Sequence, residues 1–327
     1  MCGLVGIIGN QISSEDLVIR VERMKTALVH RGPDGDGTYY DPDGRPLVLG
    51  HRRLAIIDPE HGKQPMTSAD GQFTIVFNGA IYNYLELRRE LNTRGHGIHS
   101  YSDTEVLLHA YMEWGEECLQ KFHGMFAFAI WDKRKNILFC ARDRIGIKPF
   151  YYYYDGHQLI FASEIKAILA AGGVNAEANM EALQDYVTFQ FCLHDKTLFK
   201  NIKKLEPGFQ LIAHLDNNNA VIKVRQYWDV SYDINDHQDE SYFVDHLASL
   251  LEDSIHQHLR SDVPLGAHLS GGLDSSAVAC LAAPILEGIT FKTFTGAFKH
   301  GQQFDETAIL VLSSTCNKAG NEDLRSK

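Results

Sequence analysis

Apolar positions cluster in short runs through the first half of the chain. Leu4 to Ile8 is one such run, broken by Gly6, and predicts a buried N-terminal strand. Leu17, Val21, Met24 and Leu28 then recur at helical spacing, and the turn-rich His30-Arg31-Gly32-Pro33-Asp34-Gly35 ends that helix. Further strands are expected at 37–41, 53–58, 73–77, 125–131, 137–142 and 150–154, with helices at 84–94 and 104–114. In Phe126-Ala127-Phe128-Ala129-Ile130-Trp131 both alternating faces are apolar. Such a strand is covered on both sides, as in sheets stacked between layers of helix.

Around Leu215-Asp216-Asn217-Asn218-Asn219, and again at 233–240, the chain turns polar and loses periodicity. A domain boundary is expected there, which gives a first domain at 2–212 and a linker at 213–240. Beyond it, Phe243, Leu247, Leu250, Leu251 and Leu259 mark an amphipathic helix. A strand at 263–269, a glycine-rich turn, a helix from about Asp274 to Ala283 and a strand at 290–298 follow. Strand, helix and strand at that spacing form a βαβ unit and imply a parallel sheet.

Composition narrows the function classes. The 327 residues carry 31 Lys+Arg against 42 Asp+Glu, a net charge of −11. That balance disfavours nucleic acid and anionic membrane as partners, since both need a basic face. No apolar stretch approaches the ~20 residues that span a bilayer, and the N-terminus lacks the pattern of a secretion signal. Six scattered cysteines without C-x-x-C spacing indicate neither a disulfide framework nor a zinc site, and a cytoplasmic location is expected. His256 and His258 fall on different sides of a helix and read as a solvated face, not a ligand pair.

Four groups of residues could carry chemistry. Cys2 would become an N-terminal nucleophile on loss of Met1, because a free α-amine titrates near neutrality and can act as base for its own thiol. The bland alternative is a small apolar residue opening a strand. Asn78-Gly79, ending an apolar strand, could supply two donors to an oxyanion, or be a simple Asn-Gly turn. Arg53 could grip a carboxylate and Asp103 an ammonium group, together holding a free amino acid. Alternatively, Arg53 is a surface charge and Asp103 a helix cap before Thr104-Glu105. The strongest signal is Ser270-Gly271-Gly272-Leu273-Asp274-Ser275-Ser276, between a strand and a helix. Its glycines, hydroxyls and helix N-terminus suit phosphate, although it is neither a Walker A loop nor a dinucleotide fingerprint.

These pieces occur in order with several longer motifs. They are Met1-Cys2-Gly3, His30-Arg31-Gly32-Pro33-Asp34, Arg53-Leu54-Ala55-Ile56-Ile57-Asp58, Asn78-Gly79-Ala80-Ile81-Tyr82-Asn83 and Ser102-Asp103-Thr104-Glu105. Gly124-Met125-Phe126, Arg142-Asp143-Arg144-Ile145-Gly146-Ile147-Lys148-Pro149 and Ala162-Ser163-Glu164-Ile165-Lys166 follow. Together they resemble the glutamine-hydrolysing asparagine synthetases, from Met1 to about Ala308. The resemblance implies an α/β protein: an N-terminal-nucleophile αββα sandwich (a class II glutamine amidotransferase) followed by the start of a parallel-sheet ATP-pyrophosphatase domain. It implies that Cys2 attacks the glutamine amide, with Asn78 and Gly79 as oxyanion hole. Arg53, Leu54, Ile56, Asn78, Gly79 and Asp103 would bind glutamine. Leu269, Ser270, Gly271, Gly272, Asp274, Ser275, Ser276 and Gly296 would bind ATP, with Mg²⁺ bridging its phosphates to Asp274. Ammonia would then convert a β-aspartyl-AMP into asparagine, with AMP and pyrophosphate as the other products. The implied partners are glutamine, aspartate, ATP and a second copy of the chain.

Two departures qualify the resemblance. The family usually carries Glu where this chain has Ala80, so weaker glutamine binding is expected. The resemblance also stops after Phe304-Asp305-Glu306-Thr307-Ala308, which makes 241–308 a partial synthetase domain and 309–327 a tail expected to match nothing in the family. A frameshift or premature stop is the expected cause. Three readings follow: a synthetase, a glutaminase alone, or a non-catalytic dimer partner.

Overall fold

Strand β1 (Gly3–Ile8) is apolar on both faces, and the two faces serve different layers. Leu4 and Ile8 pack among Leu47, Leu49, Val76, Trp131 and Leu138, while Val5 and Ile7 pack among Leu17, Val21, Met24, Ile160 and Ile168. The computed structural model describes residues 1–9, 13–232, 234, 237–286 and 291–296, and divides into two units, Met1–Ser231 and Tyr232–Lys327.

In the first unit the chain continues through α1 (Ser14–Thr26), β2 (Gly35–Tyr40), β3 (Leu47–Arg53), β4 (Met66–Thr67) and β5 (Phe73–Ile81). Then come α2 (Tyr84–Thr93), α3 (Asp103–Trp114), α4 (Cys118–Lys121), β6 (Gly124–Asp132) and β7 (Ile137–Arg142). β8 (Tyr151–Tyr154), β9 (Leu159–Ala162), α5 (Ile165–Ala170), α6 (Met180–Phe189), β10 (Ile202–Lys204), β11 (Phe209–Asp216) and β12 (Asn219–Gln226) complete it. The strands form two six-stranded sheets, ordered β10-β8-β9-β1-β3-β2 and β12-β11-β7-β6-β5-β4. Helices α1 and α5 cover the outer face of the first sheet, and α2 and α3 that of the second. The expected four-layer αββα sandwich is the observed one. β6 shows why: Phe126, Phe128 and Ile130 face the helices, whereas Ala127, Ala129 and Trp131 face the other sheet. The small Ala127 and Ala129 let the sheets approach closely there, and Trp131 fills the space beyond them.

Three local expectations are corrected. Residues 54–58 form no strand; β3 ends at Arg53, and the main chain beyond it bonds to side chains instead of a ladder. Residues 213–226, expected as linker, finish β11 and form β12, joined by Asn217-Asn218 with φ of 45° and 64°. Two successive left-handed residues make the tight hairpin turn that Asn tolerates. The cap of α3 is Ser102, whose hydroxyl accepts from Thr104 N–H, which frees Asp103 to point inward as the first helical residue.

The second unit contains α7 (Glu240–His258), β13 (Gly266–His268), α8 (Leu273–Ile285) and β14 (Lys292–Phe294). β13 and β14 pair in parallel, as the βαβ reading requires, though both are shorter than expected. Residues 290 and 297–298 of the expected second strand, and the tail 309–327, lie outside the described residues. His256 and His258 are exposed on α7. Among the described residues no helix is long and apolar enough to cross a membrane.

Candidate active site

Antiparallel pairing sets the start of β1 beside the end of β3, with Gly3 opposite Arg52 and Leu4 opposite His51. His51 then crosses to the second sheet, where its Nε2 lies 2.9 Å from the Phe77 carbonyl. Burial pushes this imidazole down to about 4, so it is neutral and Nε2–H donates. Cys2, Arg53 and Asn78-Gly79 thus gather at one end of the two sheets. Asp103 joins them from α3, its carboxylate accepting the Ile81 N–H at 3.0 Å.

The Cys2 sulfur is gripped by main chain: Leu54 N–H donates to Sγ at 3.3 Å, and Sγ lies 3.5 Å from the Leu54 oxygen. Burial pushes the thiol up, opposed by the Leu54 hydrogen bond and by the positive charges of the N-terminal amine and Arg53. The thiol therefore needs a base. The α-amine of the uncleaved chain is that of Met1, which burial of the group lowers from its ordinary value and the charge of Cys2 raises.

Asn78 is buried, yet its Nδ2 donates to no protein group. Buried amide nitrogens are ordinarily satisfied, so this donor is left for an acceptor that the protein itself does not supply. Gly79 is sterically compelled: a Cβ there would sit 2.2 Å from the Met125 oxygen and 2.8 Å from Phe126 Cα. Arg53 packs one edge of its guanidinium on three main-chain oxygens, Pro59 and Asp58 at 2.6 Å each and Ile57 at 3.4 Å. Asp103 is pushed up to about 7, chiefly by burial, with backbone hydrogen bonds and the Arg53 charge acting the other way. An arginine and a carboxyl group near one another are the two charges that an α-amino acid needs. Leu54 is half-buried against the sulfur and Ile56 is exposed; Ala55 N–H between them is held by Asp34 at 2.9 Å. Ala80 pairs with Met125 across β5 and β6 and brings no charge.

Sequence reasoning assigned no role to Arg31 or Glu164, although both lie in quoted motifs. Arg31 Nε holds the Cys2 carbonyl at 2.9 Å, and its Nη1 pairs with Glu164 at 2.9 Å. Glu164 is held down to about 2: burial alone would raise it, and the hydrogen bonds from Arg31, His30 and Lys166 override that. No composition or spacing signal points to this pair, because the partners are 133 residues apart.

In the second unit, residues 270–276 form the turn between β13 and α8. Gly271 adopts φ of 80°, and Gly272 precedes the first helical residue. Ser275 Oγ lies 3.1 Å from Ser270 Oγ and 3.3 Å from Ser270 N, which folds the turn on itself. Asp274 stands in the first helical turn, and Ser276 N–H closes that turn on the Gly272 oxygen. Leu269 is buried after β13 and Gly296 follows β14, so the two flank the same end of the strand pair.

Comparison with known proteins gives concordant findings. Residues 1–228 match the glutamine amidotransferase domain family, and residues 246–315 match the asparagine synthase family, reaching into the tail expected to match nothing. The chain is 40% identical, over 99% of its length, to glutamine-hydrolyzing asparagine synthetase 1 of Bacillus subtilis, and covers 50% of that protein. It is 38% identical to a putative glutamine-hydrolyzing asparagine synthetase 2 of Methanocaldococcus jannaschii, covering 95% of this chain and 62% of that one. The chain thus spans half to three-fifths of the length of these curated relatives. Among solved structures, an allosteric regulatory enzyme of purine biosynthesis shares the fold at 16% identity, with a TM-score of 0.51 over 98% of this chain and 80% of that one. The chain belongs to the glutamine amidotransferase domain family.

Proposed function

We propose that the first unit hydrolyses glutamine at Cys2 and that the ammonia serves asparagine synthesis on the second. The observation that carries this reading is the orphaned, buried Asn78 Nδ2 on the strand that His51 ties to β3, together with a half-buried thiol on which the charges of Arg53 and Asp103 act. Removal of Met1, which is exposed, frees the Cys2 amine to take the thiol proton. The sulfur then attacks the glutamine amide carbon, and Asn78 Nδ2–H and Gly79 N–H receive the oxyanion. The amine passes its proton to the departing ammonia, and water cleaves the thioester to glutamate. Arg53 holds the α-carboxylate and ionised Asp103 the α-ammonium, with Leu54 and Ile56 lining the substrate.

In the second unit, residues 270–276 would hold the phosphates of ATP, and Leu269 and Gly296 its adenosine. The hydroxyls and the carboxylate of Asp274 fit a Mg²⁺–phosphate complex, and the ion would supply charge neutralisation at the phosphates. Asp274 is the residue to hold it. Activation of aspartate as an acyl-adenylate gives its carboxylate a leaving group, and ammonia displaces AMP. The scattered spacing of the cysteines suits a reducing cytoplasm.

The test is amino-acid analysis after incubation with glutamine, aspartate, ATP and Mg²⁺. Glutamate with asparagine is the expected result. Glutamate alone reduces the activity to hydrolysis, and neither product overturns the proposal.

A further inference from the structure

Asp58 sits in the segment that follows β3, is buried and adopts a left-handed φ of 44°. Few side chains tolerate that conformation, and Asp is among them. Both carboxylate oxygens are engaged. Oδ2 accepts Tyr101 N–H at 2.8 Å, and Oδ1 accepts His61 N–H at 3.1 Å and faces His61 Nδ1 at 2.9 Å. Its main-chain oxygen receives Arg53 Nη2 at 2.6 Å and Gly62 N–H at 3.0 Å. Gly62 presses on the same guanidinium, since a Cβ there would lie 2.5 Å from Arg53 Nη2.

This segment has no ladder or helix to fix it, so these bonds set its shape. The far side of the link reaches α3. Glu105 accepts His99 N–H at 3.0 Å and Ser100 N–H at 2.6 Å, and so fixes the residues just before Tyr101. Glu105 stands in the first turn of α3, two residues after Asp103. Asp58 is therefore the joint between the segment that cradles Arg53 and the helix end that carries Asp103.

We propose that Asp58 is a positioning residue for glutamine, holding the carboxylate-binding Arg53 and the ammonium-binding Asp103 at a fixed separation. The proposal rests on the reading of those two residues as the amino-acid clamp. A long arginine side chain loses conformational freedom when it binds a carboxylate, and a cradle of carbonyls takes that loss in advance. Asp58 touches neither substrate nor sulfur in this scheme, so its loss falls on binding and spares chemistry.

The experiment compares Asp58→Asn and Asp58→Gly with the unsubstituted chain. Both replacements tolerate a left-handed backbone; Asn keeps one acceptor and Gly keeps none. Expected for Asp58→Gly is a KM for glutamine raised about tenfold with kcat within about threefold, and for Asp58→Asn a smaller rise. Alkylation of Cys2 by a diazoketone analogue of glutamine should slow in proportion, whereas alkylation by iodoacetamide, which lacks the amino-acid end, should keep its rate. An unchanged KM in both active variants overturns the proposal, as does a loss confined to kcat. If both variants fail to fold, His61→Ala removes one partner of the carboxylate at an exposed side chain. It should raise KM about twofold, and no rise overturns the proposal. An unsubstituted chain that neither turns over glutamine nor reacts with the analogue defeats the glutaminase reading itself, a distinct result.

Discussion

The two units differ in how much of their own site they stabilise. In the first, three apolar layers lock both sheets and the covering helices, and the proposed glutamine-site residues lie on or close to the ends of elements so fixed. In the second, the described core is one cluster: Ile255, Leu269, Ala279, Ala282 and Phe291. Along α7, Phe243, Val244, Leu247, Leu250 and Leu251 remain exposed. A parallel strand pair needs helices on both faces to be well buried. The lesson concerns preorganisation: the thiol site is held by long-range contacts, whereas the phosphate turn holds its own shape through local serine bonds.

The sharpest way to break this comparison is to remove the sulfur. Cys2→Ala should cut glutamine hydrolysis by at least about 1,000-fold, because the thioester cannot form without this thiol. Circular dichroism and the melting curve should stay as in the unsubstituted chain. Activity surviving in that variant would place the first unit's chemistry elsewhere.

Next in size is the Asp103 effect. A carboxyl raised from 3.8 to about 7 must ionise to hold an ammonium group, so kcat/KM for glutamine should fall about tenfold per pH unit below roughly pH 7. Asp103→Asn should flatten that limb and raise KM. Stability runs the opposite way. The folded state holds a proton that the unfolded state has released between pH 3.8 and about 7, so stability declines as pH rises through that window and then levels. A pH-independent melting temperature across it would refute the assignment.

A smaller effect belongs to the second unit. Ser275→Ala removes a hydroxyl bonded to Ser270 and to the Gly272 oxygen, which loosens the turn without touching a core. Pyrophosphate binding, read by calorimetry, should weaken about fivefold. Equal affinity would show that the turn's shape does not depend on its serines.

The layers of the first unit were legible because β6 and β1 show apolar residues on both faces, a pattern only a buried strand tolerates. The βαβ order of the second unit was legible from spacing. The errors share a cause. The apolar run 54–57 looks like a strand, yet Leu54 and Ala55 give their N–H groups to Cys2 and Asp34, contacts that no local pattern reveals. Asn217-Asn218 read as a boundary because polarity is shared by linkers and hairpin turns. Asp103 read as a cap because Ser102 beside it has the same chemistry. At the site, the residues proposed to react and to clamp could be named from motifs, while those proposed to position them could not. Asp58, Arg31 and Glu164 are tied to the site by tertiary contacts alone.

The smallest expected effect bears on that positioning. Arg31 is nearly buried, holds the Cys2 carbonyl, and has Glu164 as its ion-pair partner. Glu164→Gln keeps the shape and one acceptor but removes the charge, which should lower stability at neutral pH by about 1 kcal/mol. Glu164 titrates near 2 in the fold against 4.5 in the open chain. Its contribution is thus fully present above about pH 4.5 and disappears as pH falls toward 2, so the melting curves of the two proteins should converge over that range. A gap that persists at pH 2 would mean that the side chain acts by packing alone. If the charge matters as argued, glutamine turnover at pH 7 should drop about twofold with KM unchanged, because Arg31 grips the nucleophile's main chain and not the substrate. That split, opposite to the one expected at Asp58, separates holding the nucleophile from holding the amino acid.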